Sequence, residues 1–126
     1  MQQLQFEASW QKSLSAKDRD LIETIFNETR YSGDFPVVFS SIREAINYKK
    51  DLLITVLVHN FSSSPLTFEN IRLVYLNGQD VLADYTFTLP ALIIPPYTSM
   101  PWTLIFPEGS YTAATSPLKG RLEIHD

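Results

Sequence analysis

The sequence is 126 residues long, 44% hydrophobic and 19% charged, with a formal net charge of −4 and no cysteine. That length suits one domain with a core that needs no staples, and the composition excludes a globally disordered chain. The missing cysteines remove disulfides, thiolate nucleophiles and cysteine metal sites, while the 10 basic residues are too scattered for the clustered footprint that nucleic acid demands.

The opening "MQQLQFEASW" has neither a basic n-region nor an apolar h-region, so it does not read as a signal peptide. No apolar run approaches the roughly 18 residues of a membrane span. The expectation is a cytoplasmic protein without an integral membrane span, one that peripheral association with the secretion machinery would still suit.

Residues 1–14 form a polar lead-in anchored by Leu4, Phe6 and Trp10, and the shared parity of Leu4 and Phe6 allows a short edge strand. A helix over about 15–31 follows. Ser15 stands at its N-cap with Asp18 three residues on, a short-chain variant of the capping box. Leu21, Ile22, Ile25 and Phe26 share one helical face, and Gly33 supplies a left-handed residue near the end.

Beyond Gly33 the period turns from helical to alternating. In "FPVVFSSIREAINY" Val38, Ile42, Ile46 and Tyr48 share a parity, which reads as a kinked strand or two short ones. The competing reading is a helical turn over "SIREAINYKK", whose Arg, Glu, Ala and Lys favour helix. "DLLITVLVHN" is apolar on both faces, as a central strand covered on both sides would be. Pro65 then breaks the pattern in a loop.

Asn77 and Gly78 predict a two-residue type I′ hairpin between strands over 71–76 and 81–88. A short strand at 92–94 is ended by Pro95 and Pro96, which cannot donate to a ladder. The chain then turns at 97–99, and Trp102, Leu104 and Phe106 enter the opposite sheet. In "LKGRLEIHD" Leu118, Leu122 and Ile124 point inward and Lys119, Arg121, Glu123 and His125 outward. One N-terminal amphipathic helix and about seven short strands make a mainly β fold, an antiparallel immunoglobulin-like β-sandwich.

Chemistry is sparse. His59 reads as a strand-end side chain and His125 as part of a solvated tail, and no G-x-S-x-G elbow accompanies either. Two distant histidines give no metal spacing, and nothing resembles a calcium or phosphate loop, so no catalytic, metal-binding or cofactor-binding residue is assigned and no cofactor is expected. The sequons at Asn27 and Asn60 read as chance matches. Trp10, Tyr31, Tyr48, Tyr97 and Tyr111 leave carbohydrate binding open, and exposed strand edges leave capture of an extended peptide open. At the tip of the proline corner, Tyr97 and Met100 are the residues expected to meet a partner.

The segments "WQKSLSAKDRDLIETIFNET", "DLLITVLVHN", "PLTFENIRLVY" and "FTLPALIIPPYTSMPWTLIFP", in this order and spacing, resemble the SLAP domain over about residues 5 to 115. The most specific parts are the helix with Trp10 upstream and the stretch around "TSMPWT". That family is named for an S-layer assembly protein of the accessory Sec system of Gram-positive bacteria. The resemblance implies a domain found singly or duplicated, the duplicated form linked to a translocase that exports surface-layer proteins. It implies no enzyme activity and carries over no catalytic residue. With one copy, this chain departs from the duplicated form, and the implied role is a non-enzymatic protein-interaction module, an accessory factor in surface-protein secretion that binds another protein.

Overall fold

The structure, a computed structural model, describes residues 2–29, 35–112 and 120–125. In chain order it contains β1 (Gln3–Leu4), α1 (Ala8–Ser13), α2 (Ala16–Glu28), β2 (Val37–Ile46), β3 (Leu52–Asn60), β4 (Leu66–Asn77), β5 (Asp80–Ile94), β6 (Thr98–Phe106) and β7 (Arg121–His125). One sheet has the order β1-β6-β3-β2 and the other β5-β4-β7. The chain pairs β2 with β3, crosses to pair β4 with β5, returns with β6 and crosses again with β7, the shuttling of an immunoglobulin-like sandwich. Every pairing is antiparallel except that of β1 with β6.

Between the sheets lies one apolar core. β3 supplies Leu52, Ile54, Val56 and Val58 to it, facing Phe68, Leu73, Tyr75 and Leu122 of the opposite sheet. Each such side chain contributes about 1.5–3 kcal/mol by leaving water. The alternate β3 residues Leu57 and His59 are also buried, on the outer face where α2 packs against β2 and β3. The apolar run on both faces of β3 is thus explained by a sheet on one side and a helix on the other.

The helix begins as its sequence dictates. Ser15 accepts a hydrogen bond from the Asp18 N–H at 3.1 Å, and Asp18 lies in the first turn, where the helix dipole favours a carboxylate. Asp18 also accepts from Arg43 of β2 at 2.8 Å, which holds its carboxyl below the usual range. Ile22 is the fully buried residue of α2, and the helix stops at Glu28, capped by Thr29. The helix expected to reach about residue 31 is therefore shorter, Thr29 being already extended, while Tyr31 and the Gly33 terminator lie outside the described residues, as do Leu118 and Lys119. Upstream, α1 is a helix the sequence reading did not anticipate; the Glu7 carboxylate caps it by accepting from the Ser9 N–H at 2.6 Å.

Three local readings are settled or corrected. First, 37–46 is the kinked strand and not the competing helical turn, but its residues do not keep one parity, because its ladder to β3 slips between Ser41 and Arg43. The bulge at Ile42 adds a residue, so the inward set changes parity from Val37 and Phe39 to Glu44. Val38 pairs with His59 on the outer face, and Tyr48 stands exposed in the turn beyond. Second, the hairpin turn lies one residue later, since Asn77 pairs with Asp80 and only Gly78, at φ 63°, is left-handed. A positive φ at the first central residue alone marks a II′-type turn rather than I′. Third, the two short strands expected at 81–88 and 92–94 are one, β5, whose ladder to β4 slips around Pro90 where a donor is missing.

Prolines also set the limits of the opposite sheet. Gln3 and Gln5 donate to the carbonyls of Tyr97 and Ser99, both at 2.9 Å. The next bond of that parallel ladder would run from residue 101 to the Gln5 carbonyl, but Pro101 has no N–H. β1 therefore ends after two residues. The corner before it is a turn at 96–97, with Tyr97 at φ 54°. This tight reversal starts β6 at Thr98, earlier than expected, and places Met100 opposite Val58 inside the core.

Two polar contacts fasten the sandwich. The buried Asn60 carboxamide donates to the carbonyls of Ser64 (2.8 Å), Ile94 and Pro95 (both 3.1 Å) and accepts from the Ser62 N–H (3.0 Å) and Oγ (2.7 Å). Across the sheets the Tyr75 hydroxyl donates to Glu44, and burial followed by that bond pushes the phenol well above its ordinary range. Gly120 allows this approach, because a Cβ there would overlap the Leu76 carbonyl oxygen.

Replacing Asn60 by Ala should cost about 3 kcal/mol in urea unfolding, since each buried carbonyl left without its donor costs about 1–3 kcal/mol. Asn60→Asp should be no milder, because it turns an acceptor toward three carbonyls. Tyr97→Gly should be neutral or stabilise by up to about 1 kcal/mol, read as a higher urea midpoint, because glycine tolerates the left-handed backbone.

Candidate functional site

The sandwich has two open edges, and they differ. On one, β6 and β5 face each other without pairing. Ser110 and Thr112 hydrogen-bond to Asp84 and Leu82 along the rim of β5, and α1 packs beside it. A groove of about 820 Å³ remains there, walled by Trp10, Tyr85 and Trp102 and edged by the hydroxyls of Ser9, Thr86 and Thr103. Apart from the bridge between Ala83 and Tyr111, the edge of β5 is unpaired among the described residues.

On the other edge β2 and β7 face each other across a cleft of about 560 Å³. One wall is Phe35, Val37 and Phe39; the other is Leu122 and Ile124. The lining is mainly apolar, and Phe35 is 66% exposed. Each of these strands has one partner, β3 and β4 respectively, and among the described residues its other edge is unpaired. In the immunoglobulin arrangement the sheet that holds β4 and β7 continues past β7's position by one more strand. The cleft lies where that strand would run.

The charged residues that line the cleft are Arg121 and Glu123 of β7. Glu123 accepts from Arg121 at 2.7 Å and meets His125 at 3.0 Å, and these two hold its carboxyl below the ordinary value, Arg121 more strongly. The charges therefore neutralise one another beside the cleft. Alternation in the sequence correctly placed Leu122 and Ile124 inward; that they face a gap was invisible, because the opposite wall lies some 80 residues earlier in the chain.

A third concavity, about 400 Å³, opens between α2 and the end of β3, with Gln2, Phe26, Phe61 and Tyr97 around His59. The imidazole Nδ1 is 2.7 Å from Ser99 Oγ and Nε2 is 2.9 Å from Ser40 Oγ. Phe61 stacks parallel to the ring at 5.6 Å. Burial pushes the His59 pKa down to about 4, so the ring is neutral at ordinary pH. A serine touching a histidine superficially suggests a nucleophile and base, but the orienting position that a carboxylate fills in such triads is held by Ser99. What this arrangement does is hold three segments together: Gln2 Nε2 donates to Ser99 Oγ (3.1 Å) and to the Asn60 carbonyl (3.0 Å), and Thr29 Oγ1 lies 3.3 Å from Ser40 Oγ.

The two residues singled out from the proline corner separate. Tyr97 is 46% exposed and lines the His59 pocket, whereas Met100 is 6% exposed and packs in the core, leaving Tyr97 as the surface residue of the pair. Asn60, in the second sequon, is fully buried, and Asn27 is exposed on α2. Among the described residues no group of three His, Asp or Glu could hold a metal ion, and no helix is long and apolar enough to cross a membrane.

No curated protein and no solved structure matches the chain. The family model described as SLAP domain matches residues 4–121, a span that takes in both helices and β2 to β6 and ends as β7 begins. The chain belongs to the SLAP domain family.

Proposed function

We propose that this domain is a non-enzymatic protein-interaction module that captures an extended segment of a partner protein by strand addition in the cleft between β2 and β7. The observation that carries the reading is the pair of unpaired strand edges flanking an apolar slot. A strand laid beside β7 would gain main-chain hydrogen bonds along one edge and point alternate side chains at Val37, Phe39, Leu122 and Ile124. The chemistry selects its occupant: an extended segment with apolar residues at every second position and no charge among them. Such segments are exposed in proteins that have not yet folded, which suits an accessory factor in surface-protein secretion, acting in the cytoplasm beside the export machinery. The family name supports that setting.

Carbohydrate binding is the competing reading, favoured by the groove of Trp10, Tyr85 and Trp102 with its threonine and serine hydroxyls. The two readings name opposite edges of the sandwich, so one titration separates them. A synthetic peptide of alternating valine and threonine should shift the amide resonances of β2 and β7, and Ile124→Asp should weaken its binding at least about tenfold. Peptide shifts confined to the β5 edge, or no saturable binding, would overturn strand capture. A neutral oligosaccharide that perturbs the Trp10 and Trp102 indoles would install the competing reading in its place.

A further inference from the structure

His59 sits within a chain of hydrogen bonds whose direction can be worked out from one end. There Thr29 Oγ1 donates its single hydrogen to the Ile25 carbonyl at 2.8 Å, so toward Ser40 it can only accept. Ser40 therefore donates to Thr29 and must accept from His59 Nε2. The neutral ring therefore carries its hydrogen on Nε2 and a lone pair on Nδ1. At the other end Ser99 Oγ, which accepts from the Gln2 amide, then donates its hydrogen to that lone pair. The chain ties β1 (through Gln2), α2 (through Thr29) and β2 (through Ser40) to the central strand.

A proton on Nδ1 works against this chain. It would confront the Ser99 hydrogen; a Ser99 hydroxyl turned to accept from Nδ1 as well as from Gln2 strands its own hydrogen at a fully buried position, and the cation stays out of water for as long as Gln2 and α2 cover the ring. We infer that the His59 cluster is an acid-opened latch: the neutral imidazole holds β1 and α2 on the sheet, and protonation at Nδ1 releases both while the sandwich stays folded. Release uncovers Leu57 and the Ile22 face of α2, so acid would expose an apolar surface that neutral pH conceals.

The electrostatic surroundings leave this response to His59. Burial is the one cause of its lowered pKa. Among the described residues Ser99 of β6, Ser40 of β2, Gln2 and the stacked Phe61 are uncharged; Tyr97 brings a phenol to the same pocket. On α2, Asp20, Glu23 and Glu28 are exposed, and Asp18 is paired with Arg43 of β2 at 2.8 Å. Glu44 points to the other face of β2, where it accepts from Tyr75. A released His59 titrates near its ordinary 6.5 and a latched one near about 4. Across that window each unit of acid favours the released form by about tenfold, and above it the latch is unaffected. Asp18, whose pKa is lowered, loses its pair only in stronger acid.

The test is an NMR titration of the whole chain from neutral pH to pH about 4. Imidazole nitrogen shifts should report the Nε2–H tautomer at neutral pH. On acidification the resonances of β1 and α2 should move to unfolded positions together with the His59 titration, reversibly, while β3, β4 and β5 keep theirs. Ser99→Ala removes the donor to Nδ1 and should move both the titration and the release to higher pH. Asp18→Asn, which leaves the His59 contacts in place, should weaken the docking of α2 and so move its release to higher pH without changing the Nε2–H tautomer. An Nδ1–H tautomer, a release that ignores Ser99→Ala, or loss of all strands at the same pH as α2 would overturn the latch.

Discussion

Everything in this fold follows from the need to cover β3 on both faces. Its inward residues Leu52, Ile54, Val56 and Val58 require a second sheet, and its outward Leu57 and His59 require a helix. A β-sandwich satisfies the first demand by itself, since its sheets pack inner face to inner face and leave the outer faces wet. The second demand is what gives α2 its place. The helix is short and polar over much of its surface, with Ile22 its one fully buried residue, so its position depends on specific contacts rather than on a broad apolar stripe. Arg43 holds its first turn and the hydroxyl chain through Ser40 holds its last.

That division shows why polar side chains concentrate at one end of the molecule. Among the described residues the buried polar ones are His59, Asn60, Thr98 and Ser99, all at the corner where β3 ends and β6 begins. Here the chain must leave one sheet for the other, and loop backbone runs through buried space. Asn60 supplies partners for the carbonyls that this crossing would strand, and His59 does the same for hydroxyls beneath α2. Among the described residues no buried side-chain polar atom lacks a partner. A corner so fully satisfied is rigid while its hydrogen-bond directions agree and vulnerable to one misplaced proton.

How much of this was legible in the sequence depended on the distance over which the cause acts. The Ser15 cap, the two-faced β3 and the alternation of Leu122 and Ile124 are local patterns, and each is found where the residues put it. The bulge at Ile42 was hidden, because nothing in "SSIREA" marks which residue the partner strand will skip. Met100 was misplaced for a related reason: a turn at 97–99 keeps it on the surface, but Tyr97 accepts a left-handed backbone usually left to glycine, and the strand resumes at once. His59 looked like a strand end because its covering helix lies some 30 residues upstream. The cleft was the least legible feature, since its existence depends on which strands lack neighbours, and pairing partners are set by the whole topology.

The open edge between β2 and β7 is best understood from the end where it is closed. Near the bulge, Glu44 reaches Tyr75 of the opposite sheet, Ser41 approaches the Gly120 carbonyl, and the missing Cβ of Gly120 lets that residue lie against the Leu76 backbone and the Tyr75 ring. From there toward Phe35 and Ile124 the contacts become apolar and the walls part. Natural sheets blunt exposed edges with charge, proline or a covering segment, and the β5 edge is partly covered in that way by residues 110–112 and α1. Of the charged residues on β2 and β7, Arg43 and Glu44 lie at the clasped end, where Asp18 and Tyr75 meet them, and Arg121 and Glu123 beside the slot are spent on each other. An apolar slot clasped at one end, flanked by two free backbone edges and left without a repelling charge is the geometry that admits an extended chain from its open end. The same bulge that swings Glu44 inward for the clasp also sets the parity that points Val37 and Phe39 into the slot, so one irregularity in β2 both closes the sandwich and shapes its opening.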